Sequence, residues 1–389
     1  MPTALSTAQP QGDTAQSQSA GLPFTLGSAF SSRQAFSVTQ ALGASTVAPV
    51  SFPVNVPSFG WISNIVLDIA IAYTAGATAP TLAPDGFSTV IDHIGVRTSG
   101  GNPLIQPIDG YSLKLDNKYG GKRFGASMPQ GSTDPDTLPG TNLTLPAANG
   151  SATNRIFRSL QFEIDPSSGL GCIPATASNR EFTIDLVLAA IGTVFPTNPP
   201  AAVTVTIVAT AFYWDVPADL AMPFGADQQS QTLRILQNER QVIPSGEAKV
   251  KTSNVGNVIM NHYIVMRTSA GVRDDSDFSD PFQIDIDNNA RLWWTKNQWK
   301  LAMANWFGLT AAIDTPGGLD SGVYVLPWRL LAGGAGADQN ASHAQYLATL
   351  DTTLFQLHPL ATGAGGAGGS LQLLTDAVST PDAAYVYSK

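Results

Sequence analysis

The densest set of ionisable side chains in this sequence is Asp274, Asp275, Asp277 and Asp280, with Asp285 and Asp287 shortly after. Carboxylates at such spacing are the hard oxygen ligands that a calcium ion takes. The group lacks the glycine at loop position six and the closing glutamate of an EF-hand. A solvated acidic loop accounts for it equally, so these four aspartates are metal candidates and no more. Asp285 and Asp287 would add ligands, although keeping a strand edge soluble explains them as well.

Nothing else assembles a reaction centre. The sequence contains no G-x-S-x-G, no G-x-x-x-x-G-K-[ST] and no H-E-x-x-H. Gly363 to Gly368 matches G-x-G-x-x-G as a string, but no room follows it for the βαβ unit that pattern serves, so it reads as a linker. The histidines His93, His262, His343 and His358 are scattered, and His93 and His262 fall in expected strands as packed or surface residues. The single cysteine, Cys172, excludes an intramolecular disulfide and a multi-cysteine zinc site. Trp293, Trp294, Trp299 and Trp306 offer a sugar-binding surface, yet Trp299, Met303 and Trp306 recur at helical spacing, which favours packing. No catalytic residue and no cofactor is expected, and the chain is not expected to be an enzyme.

The elements that carry these residues read as all-β. Charged residues make up 13% of the 389, about half the usual share, while Gly and Pro are plentiful, so turns outnumber salt-bridged helices. The net charge of −9 and the absence of a basic stripe argue against direct contact with nucleic acid. Residues 1–20 lack the charged and apolar regions of a secretory signal, so synthesis and folding in the cytoplasm are expected.

The clearest strand runs from Val203 to Trp214. Val203, Val205, Ile207, Ala209, Ala211 and Tyr213 share one face, a period of two rich in β-branched and aromatic residues. Trp61 to Tyr73 is another, with Ile65, Leu67, Ile69 and Ile71 in phase. Further strands are expected at 90–97, 155–165, 181–189, 233–236, 241–243, 258–267, 322–329, 346–357 and 371–378. Residues 108–119 suit a short helix, and Lys296 to Phe307 is the best helix in the chain. Gly120 to Asn154 is a long polar loop, and 274–287 is an acidic one.

Two similar halves emerge, each about 160 residues and suited to one β-sandwich. The expected organisation is an N-terminal arm at 1–46, whose only charges are Asp13 and Arg33, a first unit at 47–217, a linker at 218–230 and a second unit at 231–389.

This layout resembles the double jelly-roll major capsid proteins of tailless, membrane-containing viruses. It is most similar to the tectivirus coat protein, in the lineage shared with adenovirus hexon. The similar pieces are the strand Gly60–Thr74, the strand Val90–Arg97 leading into Asp109–Gly121, and the closing Phe212-Tyr213-Trp214-Asp215-Val216-Pro217. In the second half they are the Trp-rich helix Lys296–Phe307 and Gly322-Val323-Tyr324 opening a strand. The resemblance implies two tandem eight-stranded jelly rolls with a short helix in each and an extended N-terminal arm.

It implies a coat protein of the virion shell that forms pseudo-hexagonal homotrimers and tiles an icosahedral capsid. Its partners would be copies of itself, vertex or minor coat proteins, and an internal lipid membrane. The nearly uncharged arm gives little attraction to anionic lipid. Gly120–Asn154 and Thr268–Asn289 would be the loops that form towers. The alternative from another class is a receptor- or carbohydrate-binding viral spike built of two β-sandwiches, which predicts an exposed aromatic groove.

Overall fold

The computed structural model describes residues 29–44, 50–53, 60–98, 103–120, 147–164, 169–174, 182–215, 233–243, 246–247, 249–252, 254–275, 280–307, 321–328, 331, 347–349, 352, 354–358, 360–361 and 369–379. The first half holds β1 (Phe30–Ala41), β2 (Val50–Pro53), β3 (Trp61–Thr74), β4 (Ile91–Thr98), β5 (Pro103–Ile108), helix α1 (Gly110–Tyr119), β6 (Ser151–Gln161), β7 (Phe182–Leu188) and β8 (Val203–Trp214). The second holds β9 (Leu233–Val242), β10 (Val250–Thr252), β11 (Val258–Arg267), β12 (Phe282–Ile286), β13 (Asn289–Trp294), helix α2 (Lys296–Phe307), β14 (Val323–Pro327), β15 (Phe355–His358) and β16 (Ser370–Ser379). Shorter ladders and single helical turns fill the connections.

The pairing repeats. In the first half one sheet runs β1-β8-β3-β6 and the other β2-β7-β4-β5. In the second half the sheets run β9-β16-β11-β14 and β10-β15-β12-β13. Adding eight to each label of the first set gives the second, so one winding order is used twice. Each helix occupies the same place, between the fifth and sixth strand of its roll. Strand pairs within a roll are antiparallel, but β5 meets β9 in parallel at Ile105 and Leu236. That contact joins one sheet of the first roll to one sheet of the second. The buried apolar side chains likewise form one connected core through both rolls.

Strand β8 shows how the sequence builds a layer. Its alternation is complete: the six residues from Val203 to Tyr213 on one face are buried, and those between are half-buried. It pairs on one side with β3 over most of its length and on the other with β1.

That second partner differs from the sequence reading. Residues 30–41, expected in the arm, form the first strand of the roll, paired with β8 from Phe30↔Trp214 to Ala41↔Thr204. The reason is composition. Ala35 is the only residue of β1 buried, with Phe36 and Val38 partly covered, so the strand shows almost no apolar alternation. Its place is set by backbone pairing rather than by side chains.

Two further elements differ from those expected. The short strands expected at 233–236 and 241–243 are one strand, β9, whose polar middle Gln237–Arg240 is carried by continuous pairing with β16. The acidic loop expected at 274–287 contains β12, which makes a hairpin with β13. Its two-residue turn is Asp287-Asn288, at φ 49° and 64°. Positive φ at both central residues is the type I′ geometry that matches strand twist, and Asp and Asn tolerate it. Most of the loop 120–154 and the linker 218–230 lie outside the described residues. Among the described residues no helix is long and apolar enough to cross a membrane.

Candidate functional site: the seam between the two rolls

The four candidate metal ligands divide. Asp277 lies outside the described residues. Asp275 Oδ1 accepts from the Gly322 amide at 2.9 Å and faces Lys300 Nζ at 3.3 Å. Its carbonyl accepts from Lys296 Nζ at 3.1 Å. Asp280 Oδ1 accepts from the Lys296 amide at 3.2 Å, at the start of α2. The Asp274 amide donates to Met266 O at 3.3 Å. Among the described residues no three His, Cys, Asp or Glu side chains converge as a metal site. Asp275 and Asp280 thus help to frame α2. Asp285, read above as a possible extra ligand or a solvated edge residue, is buried and pairs with His358 Nε2 at 2.7 Å.

Helix α2 starts with a reciprocal cap. Gln298 N donates to Thr295 Oγ1, and Thr295 N donates to Gln298 Oε1, which satisfies two otherwise orphaned donors. Trp299 and Met303 are buried and Trp306 is half-buried against Trp294, so the aromatic stripe is packed rather than open. The helix also covers the outer edge of β14. Trp299 Nε1 and Lys300 Nζ donate to the carbonyls of Val325 and Val323, and Met303 Sδ accepts from Val325 N. A free strand edge invites pairing with another chain, and α2 closes this one.

Helix α1 has a different task. It belongs to the first roll, and its side chains reach the second. Asp109 caps it, accepting from Ser112 N at 2.7 Å. Gly110 sits so close to the preceding segment that a Cβ would meet Ser88 O at 2.2 Å. Asn117 mimics a strand partner for β6, donating to Ser159 O and accepting from Ser159 N, both at 2.8 Å. These contacts fix α1 to its own roll.

Across the seam, Gln372 of β16 donates to Asp109 and to Ser112 Oγ. Tyr111 lies beneath Arg267 and Arg273, with the guanidinium carbons 5.3 and 4.8 Å from the ring centre. Both arginines pair with Asp85 of the first roll, at 2.7 and 2.8 Å. At the far end Tyr119 meets Phe307 of α2 edge-on at 4.9 Å.

The centre of the seam is Arg234 of β9. Its guanidinium donates to Asp116 of α1, to Gln161 O at the end of β6 (2.8 Å) and to Asp376 of β16 (2.7 Å). Tyr263 Oη donates to Asp116 at 3.2 Å, and Asn261 Nδ2 donates to Asp376 at 2.8 Å. All three charged side chains are at most 1% exposed. Burial pulls the Arg234 pKa down, but Asp116 and Asp376 outweigh it and hold the group above its ordinary value. Burial, then Asp116 and Asp376, push the Tyr263 phenol well up, so it stays protonated and donates.

His262, on the same strand as Tyr263, is buried. Its Nδ1 accepts from Trp328 Nε1 at 3.0 Å, and burial lowers its pKa to about 3, against the pull of Asp376. His93 is on the surface beside Asp92. His343 lies outside the described residues. Cys172 is buried, with its thiol donating to Glu163 Oε1 at 3.6 Å.

The seam residues were not singled out in the sequence, though a signal exists. Arg234 is in phase with the buried Leu236, and Asp376 with the buried Leu374 and Val378. A charge at a buried phase of an apolar strand needs a partner elsewhere.

No protein-family model and no curated protein matches the chain. Solved structures do. The STIV major capsid protein superposes with a TM-score of 0.64 at 13% identity, over 93% of this chain and 100% of that one. The PBCV-1 virus capsid gives 0.57 at 12%, over 91% and 94%. The Faustovirus major capsid protein gives 0.53 at 10%, over 91% and 90%. The fold is a double jelly roll. The likeness spans both rolls, as the duplicated winding requires.

Proposed function

We propose that this chain is the major coat protein of an icosahedral virus, acting as a homotrimeric block of a virion shell and not as an enzyme. The observation that carries the reading is the pair of like-wound rolls joined through a buried seam. Three such chains present six similar uprights about a three-fold axis. A nearly hexagonal block of that kind tiles a flat facet with few kinds of contact. The likeness to viral capsid proteins over nine-tenths or more of each chain supports it. In this reading the first roll starts at residue 30, the arm is the part before it, and the partners are other copies and further coat proteins. Contact with an internal lipid membrane belongs to the same reading and has its own test, co-flotation with vesicles.

The spike alternative needs an open aromatic groove. Of the four tryptophans, Trp294, Trp299 and Trp306 pack against one another or into the core and Trp293 alone is exposed, which leaves one open ring rather than a groove.

The test is the mass of the purified protein by light scattering, followed by electron microscopy of concentrated samples. Trimers that form hexagonal sheets or closed shells are expected. A stable monomer under every assembly condition overturns the reading.

A further inference from the structure

We infer that the Arg234–Asp116–Asp376 cluster sets the angle between the two rolls, acting as a positioning element for assembly rather than as a source of fold stability. The inference rests on the shell reading only for its consequence in assembly.

Three observations lead to it. First, the direct backbone link between the rolls' sheets is slight: one parallel pair, Ile105 with Leu236. The two strands lie side by side around that pair, but one registered pair fixes their angle less firmly than the long ladders within each roll do. Second, the apolar part of the seam supplies a driving force that is itself non-directional. Third, Arg234 is directional. Its planar fork holds three acceptors on three elements, two in the first roll and one in the second. It lies two residues from Leu236, on the same buried face of β9. The side chain that bonds across the seam to the most elements therefore sits beside the registered pair that joins the two sheets.

Energetics decide between the two roles. A buried ion cluster costs desolvation comparable to its Coulombic gain, and replacing it as a whole by well-packed groups of similar volume is often neutral for stability. What is lost is the fixed geometry. The Asp85–Arg267–Arg273 cluster, the Gln372 bonds to Asp109 and Ser112 and the Tyr119–Phe307 contact keep the rolls attached, with a wider spread of angles between them.

The experiment compares the wild type, Arg234→Lys and the triple variant Arg234→Met/Asp116→Asn/Asp376→Asn. Asn at 116 and 376 still accepts from Tyr263 and Asn261, so the site becomes uncharged while keeping those two bonds. Spin labels are placed at exposed positions on each roll, Ser37→Cys and Asn297→Cys, in a Cys172→Ser background. The distance distribution is then measured, together with urea unfolding and particle yield.

The expected result for the triple variant is an unchanged urea midpoint, a distance distribution at least about twice as wide, and a particle yield down by about tenfold or more. Arg234→Lys keeps the charge and loses the fork, so it should also broaden the distribution. A triple variant with a wild-type distribution overturns the inference. So does a triple variant that fails to fold, because the cluster would then be a stability element. If the wild type itself forms no particles, the shell reading fails, and the distance measurement still decides this one.

Discussion

Arg234 and Asp116 stand 118 residues apart in the chain and meet as a buried ion pair at the junction of the two rolls. Neither belongs to a motif. Each is placed by an element whose apolar residues determine its position, and the pair then ties those elements together.

Removing one partner should therefore be severe. Arg234→Ala leaves two buried carboxylates facing each other, which should cost about 3–5 kcal/mol in urea unfolding. The exposed pair Arg97–Asp185, at 2.7 Å and half open to solvent at the arginine, is the control. Arg97→Ala should cost at most about 1 kcal/mol.

His262 gives stability a pH dependence of known sign. Its folded pKa of about 3 lies below the ordinary 6.5, so the unfolded chain binds a proton that the folded chain refuses. Its contribution is intact above pH 6.5 and is lost as pH falls from there towards 3. The slope should approach about 1.4 kcal/mol per pH unit. Unfolding measured from pH 7 to 4 should be less steep in His262→Gln than in the wild type.

Truncation separates the arm from the roll. Deleting residues 1–28 leaves β1 and should leave the melting temperature within a few degrees of wild type. Deleting residues 1–46 removes the strand that pairs with β8 over eleven registered positions. That variant should aggregate or melt well below the first, because a long, β-branched strand edge is laid bare.

Gly110→Ala tests the seating of α1. The added methyl would meet Ser88 O at 2.2 Å and Ile91 Cβ at 2.9 Å, so the helix must move outwards. Overpacking of this kind costs about 1–3 kcal/mol or more. Chemical denaturation should show the loss although alanine is the better helix former.

Much of the scaffold was legible in the sequence. Val203–Trp214 and Lys296–Phe307 appear with the bounds read from periodicity, because each buries one continuous apolar face. What escaped was β1, whose place depends on backbone pairing to a strand some 170 residues later, and β9, whose polar centre imitates a break. The seam escaped for a related reason. The phase of Arg234 marks it as buried, but Asp116 on its short helix gives no sign of being its partner until the two elements are brought together. The acidic run at 274–280 was the opposite case: conspicuous as a string, with Asp275 and Asp280 found bonded around the start of α2.

The place of β16 has a consequence during synthesis. It lies between β9 and β11, so the last of the described strands of the second roll is an interior one. A nascent chain that has not yet released it carries two unsatisfied ladders, side by side and separated by one strand width. The first roll and α1 are already translated by then, and N-terminal units fold first on the ribosome. Closure of the second roll is thus timed to the emergence of residues 370–379, and a ribosome stalled before them holds a half-open molecule that its neighbours on the same message could invade.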